Sequence, residues 1–134
     1  GCALAARTLR PGLEILGAEP TGAADAHASL REGRCITDMV ANTICDGLRG
    51  QLAPRTLALL RRYIDGILIV DDSAVIEAMR LLWERLKLVV EPSGAIALAA
   101  VLRNRERFAG RRVGIVISGG NVDLDTLPWQ AHAS

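Results

Sequence analysis

Hydrophobic positions in this 134-residue chain fall into two alternating patterns, short unbroken apolar runs and stretches with helical spacing. The clearest stretch follows Asp71, Asp72 and Ser73, which supply capping oxygens and negative charge suited to a helix N-terminus. Val75, Met79, Leu82, Trp83 and Leu86 then recur on one face, which predicts a helix. Glu91-Pro92-Ser93 interrupts, and GAIALAAVL over 94–102 predicts a second helix, apolar nearly all round and so buried. Residues 1–10 are Ala-rich and stopped by Pro11-Gly12, and they read as the tail of a helix whose beginning is missing. Residues 26–34 predict a short helix closed by Gly33, and residues 56–63 another. Three apolar runs, LEILGA (13–18), GILIV (66–70) and VGIVI (113–117), predict strands, and GILIV is continuous as expected for a strand buried on both faces. Residues 35–53 give mixed signals around an Asp46-Gly47 turn. Strands alternating with helices predict an α/β fold of three α/β/α layers around a parallel sheet.

Composition narrows the picture. The length suits a single domain, residues 1–134, and half of the residues are hydrophobic with only 3% aromatic. The core is therefore expected from Leu, Ile, Val and Ala. Sixteen basic and fifteen acidic residues nearly cancel, and no basic stripe interleaved with aromatics argues for nucleic acid as a partner. No apolar stretch reaches the roughly 18 residues of a membrane span, and no signal peptide is visible. Cys2, Cys35 and Cys45 are odd in number and form no CxxC pair, as expected for a reducing, cytoplasmic setting. Of the sixteen basic residues Lys87 alone is a lysine, so one side chain only has the amine for an imine.

Candidate chemistry sits at the strand ends. Parallel sheets bind ligands beyond the carboxyl ends of their strands. Glu19 follows LEILGA, Asp71-Asp72 follows GILIV, and Ser118-Gly119-Gly120-Asn121 follows VGIVI. Glycines allow close backbone approach, and a serine hydroxyl gives or accepts one neutral hydrogen bond. Each feature also has a structural reading: a tight turn for SGGN, a capping carboxylate for Glu91, and an acidic loop for Glu19 and Asp25.

Several segments weigh together. LLWERLKLVVEPSGAIALAAVL, VGIVISGGNVDL, ICDGL and ALAARTLRPGLEILGAEP resemble the C-terminal half of fold-type II pyridoxal-phosphate enzymes, the serine/threonine dehydratase and serine racemase family. The resemblance runs from about Gly1 to Leu124. It implies that this chain is the C-terminal half of the large, cofactor-binding domain. Under it, Ser118 faces the pyridine nitrogen of the cofactor, Gly119 and Gly120 make room for the ring, and Asn121 fixes the turn. Glu91 and the backbone of Gly47 lie near the cofactor. Glu19, the Ala23 carbonyl and Asp25 match a magnesium or calcium site of the racemase and dehydratase branch, a ligand set suited to a hard cation. The implied reaction is α-proton abstraction from a small β-hydroxy amino acid followed by β-elimination of water, or racemisation.

The departures from that family are as informative. Its Schiff-base lysine, its ring-contacting asparagine and its glycine-rich phosphate loop are not in this sequence. Lys87 aligns with a helix lysine of the family and is no substitute. The expectation is therefore that no catalytic residue lies in this chain, which alone is inactive and holds the cofactor weakly or not at all. Its expected partners are an N-terminal half and further copies of itself. With no regulatory domain after SGGNVD, the short catabolic dehydratase or racemase type is favoured. The alternative is a non-catalytic folded piece or split subunit that works by association. His27 is expected solvated in a small-residue loop, Trp83 in the core, and Cys45 near the pocket without an activating partner. His132 falls in a terminal AHAS tail read as outside the fold.

Overall fold

The computed structural model describes residues 1–130, so His132 lies outside the described residues. The chain forms α1 (Cys2–Leu9), β1 (Leu16–Pro20), α2 (Asp25–Glu32), α3 (Pro54–Tyr63), β2 (Gly66–Val70), α4 (Asp72–Leu81), α5 (Pro92–Arg103) and α6 (Arg105–Phe108). β1 and β2 pair in parallel, from Leu16 opposite Gly66 to Pro20 opposite Val70, with α2 and α3 in the crossover.

Helices flank this small sheet on both faces. Leu68 and Val70 belong to the main core with Ala18, and strand alternation turns Ile67 and Ile69 the other way. α5 packs on both strands, and α2 packs on β2. His27 is not a solvated loop residue. It lies within α2, half-buried, with Nδ1 3.3 Å from the Ile67 carbonyl oxygen. Gly33 ends α2 in the left-handed conformation, as its place after the last apolar position predicts.

The core is centred where α4 meets α5. Val75, Met79 and Leu82 are fully buried, each contributing about 1.5–3 kcal/mol. Ala95 and Ala99, four residues apart, present almost no side chain, so α5 lies close against the long residues of α4. Asp71 caps α4 by accepting the Ala74 N–H at 2.7 Å, and the Ser73 hydroxyl also donates to it. Those donors, Ser73 first, hold its carboxyl below the usual range. Asp72 turns instead to the irregular segment, accepting the Thr43 hydroxyl at 2.5 Å and the Ile44 N–H at 3.0 Å. Both strand-end aspartates are thus engaged in holding structure.

Three expectations shift. β1 begins at Leu16 rather than Leu13, because Asp65 takes over the preceding stretch: its carboxylate accepts the Ile15 N–H and its own N–H donates to the Ile15 carbonyl. The helix after Asp71 is α-helical only to Leu81, then widens to a π turn over Leu82–Leu86 that Lys87 ends with φ 57°. Residues 113–117 are not a strand. Among the described residues β1 and β2 pair only with each other, and VGIVI has no ladder partner, with Val116 66% exposed. Among the described residues no helix is long and apolar enough to cross a membrane.

Candidate functional site

Three loops close on one another at one end of α5. The first is the turn Asp46–Leu48, the second runs over 89–94 into α5, and the third is 118–121. The Ser93 hydroxyl lies 3.1 Å from the Gly47 nitrogen, whose N–H also reaches the Asp46 carboxylate at 2.8 Å. The Glu91 N–H donates to the Gly119 carbonyl at 3.3 Å, and the Asn121 N–H donates to Glu91 Oε2 at 2.8 Å. Glu91 therefore grips the third loop with its backbone and its carboxylate together. It stands at the N-cap of α5, yet its side chain makes no capping bond there.

The glycines follow from this closure. A Cβ on Gly94 would sit 1.7 Å from the Ser118 carbonyl oxygen, and one on Gly120 would sit 2.9 Å from that of Val89. Gly119 has φ 73°, and a Cβ there would strike the Glu91 carboxylate at 2.2 Å. At Gly47 the neighbour is Ser93 Oγ at 3.1 Å. Small residues are needed here first of all so that loop can meet loop. Ser118, Gly119, Gly120, Asn121, Glu91 and Gly47 thus form one contiguous group. The Ser118 residue is exposed, and its hydroxyl takes part in none of the side-chain hydrogen bonds found among the described residues.

Glu19, next to last in β1, and Ala23 and Asp25, in the turn and helix that follow, form a separate group. Glu19 Oε1 accepts the Ala26 N–H at 3.1 Å and Oε2 the His27 N–H at 2.8 Å, so this carboxylate caps α2. Asp25, 8% exposed, accepts the Leu52 N–H at 3.0 Å. Burial raises the Glu19 carboxyl above its ordinary range; the two N–H donors oppose this and the Asp25 charge adds to it. Neither carboxylate pairs with Lys or Arg among the described residues. A carboxylate offers about four lone-pair sites, so both retain capacity for a hard cation. Among the described residues, no three His, Cys, Asp or Glu side chains cluster as a metal site.

Other candidates take structural places. Cys45 is fully buried, and burial pushes its thiol up to about 11, which leaves it unreactive at neutral pH. Lys87 donates from Nζ to the Glu84 carbonyl on its own turn. Trp83 packs against the core, but its indole also donates to the Val90 carbonyl at 3.0 Å and its ring meets Trp129 edge-on. Sequence reading missed Ser93 as the link between the first two loops. The sequence shows only a hydroxyl next to Gly94 at a helix start, and its partner Gly47 lies 46 residues away.

A family model described as pyridoxal-phosphate dependent enzyme matches residues 1–119. The chain is 42% identical over 129 residues to the β-hydroxyaspartate dehydratase of Paracoccus denitrificans, covering 96% of this chain and 41% of that protein. It is 46% identical over 139 residues to the serine racemase of Arabidopsis thaliana, covering 100% of this chain and 42% of that protein. The structure of maize serine racemase superposes with a TM-score of 0.87 at 45% identity, over 94% of this chain and 40% of that one. The chain thus spans about two-fifths of the length of the relatives it matches.

Proposed function

Because the chain belongs to the pyridoxal-phosphate dependent enzyme family, we propose that it forms the C-terminal part of the cofactor-binding domain of an ammonia-lyase or racemase acting on a small β-hydroxy amino acid. The observation that carries this reading is the closure of the three loops behind an exposed, unengaged Ser118 hydroxyl. When bound, pyridoxal phosphate supplies an electron sink for negative charge at the amino acid's α-carbon.

This chain's residues act around that group. The Ser118 hydroxyl offers the pyridine nitrogen one neutral hydrogen bond and no charge, so the nitrogen is not held protonated. A weaker electron sink suits β-elimination or racemisation better than transamination. Glu91, with Gly119 and Asn121, keeps the Ser118 loop in shape, and Gly47 with Ser93 closes its flank. We assign the proton-moving lysine and the phosphate-cradling glycines to the part of the fold that lies outside the match, about three-fifths of the relatives' length. The uncovered segment 113–117 is the surface on which that part adds. In this reading catalysis belongs to the two parts together.

The test is a chimera in which this chain replaces the matching residues of maize serine racemase. It is expected to take up pyridoxal phosphate and to release keto acid from serine, threonine or hydroxyaspartate, or to racemise serine. A folded chimera that takes up no cofactor would refute the reading.

We place magnesium or calcium on Glu19, the Ala23 carbonyl and Asp25. Either ion is expected to raise the melting temperature of the chain, by about 2.7 kcal/mol of stability at a hundredfold excess over its dissociation constant. Asp25→Asn, which keeps an acceptor for the Leu52 N–H, is expected to abolish the rise. An equal rise in the variant would show the ion acting elsewhere.

A further inference from the structure

We infer that Trp83 is a positioning residue for the Ser118 loop, holding from one side chain both segments that frame it. Its indole N–H bonds the Val90 carbonyl at 3.0 Å, one residue before Glu91, whose carboxylate holds the Asn121 N–H. Its ring meets Trp129 edge-on, with centroids 5.4 Å apart and planes at 79°. Trp129, with Val122 and Leu127, packs on the core and so pins the chain that leaves Asn121. The loop 118–121 is therefore gripped ahead by Glu91 and behind by the Trp129 strap, and both grips meet on Trp83.

The place of Trp83 reinforces this. It sits on the π turn Leu82–Leu86, where the helix is one residue wider per turn than α. Lys87 closes that turn in the left-handed conformation, and the Leu88 N–H returns to the Leu82 carbonyl at 3.2 Å. Val90, carrying the carbonyl that Trp83 holds, is itself buried at 2% exposure, and its side chain crowds Gly94. A phenylalanine fills most of this ring space but has no N–H to donate, so it removes the tether while keeping apolar burial.

The consequence for cofactor binding rests on the function proposed above, whereas the tether itself does not. Trp83→Phe is therefore tested in the chain without cofactor, by amide hydrogen exchange and backbone nitrogen relaxation. Protection is expected to fall about three- to tenfold at Glu91 and Asn121, the range of one lost hydrogen bond, with β2 amides such as Ile69 unchanged. Equal loss everywhere would show a merely structural role and overturn the inference, as would unchanged exchange at Asn121. Should Trp83→Phe not fold, Trp129→Leu decides: mobility rising at 118–122 supports the brace, and mobility unchanged there overturns it. A chimera that rejects cofactor would refute the proposed function and leave this exchange result standing.

Discussion

Replacing Gly94 with alanine is expected to destabilise the chain by about 1–3 kcal/mol and to release the Ser118 loop. Two effects oppose each other. Gly94 lies in the first turn of α5, where alanine gains about 1 kcal/mol of helix propensity. Against that, the new Cβ would lie 1.7 Å from the Ser118 carbonyl oxygen and 2.9 Å from its carbon. These are backbone atoms, so no rotamer change relieves the overlap, and the loop must move away. It then loses the bond from the Glu91 N–H and the charged bond to Glu91 Oε2, together about 2–4 kcal/mol. The clash wins.

Gly22→Ala is the control. Its Cβ would sit equally close, 1.7 Å, to the Asn42 carbonyl oxygen at a different place in the fold. Both variants are expected to lower the melting temperature by several degrees, at about 3 °C per kcal/mol for a chain of this size. Only Gly94→Ala is expected to change the amide signals of residues 118–121. Gly94→Ala with wild-type stability and unshifted signals there would contradict the packing described for the three loops.

Much of this arrangement is legible in the sequence, and the failures have physical causes. GILIV is a strand because its unbroken apolar run faces helices on both sides, and Gly33 ends α2 because an αL position follows the last buried turn. VGIVI carries the same signal and forms no strand. Apolar periodicity reports what a segment can bury, whereas a strand also needs a partner's backbone, which a local pattern does not encode. The π turn is equally hidden, because it ends on a lysine with positive φ, a conformation usually left to Gly or Asn. At the site, the contacts between the loops were not readable. The glycines of SGGN were expected to give room to a cofactor ring, and their nearest neighbours are Glu91 and Val89. Glu91 as a helix-capping carboxylate is a sound local reading; its side chain instead crosses 30 residues of sequence to Asn121.

The central claim is that the Ser118 loop forms the ring end of a pyridoxal-phosphate pocket. In the maize chimera loaded with nitrogen-15 pyridoxal phosphate, the pyridine nitrogen chemical shift reads its protonation directly. With Ser118 present, the shift is expected at the unprotonated position across neutral pH, because a hydroxyl adds no charge. Ser118→Asp is expected to move it to the protonated position, since a carboxylate within hydrogen-bond reach favours the charged ring. The same variant is expected to lose most keto-acid release while still holding the cofactor. A ring nitrogen whose shift does not respond to Ser118→Asp in a folded, cofactor-loaded chimera would place the ring elsewhere and contradict the account.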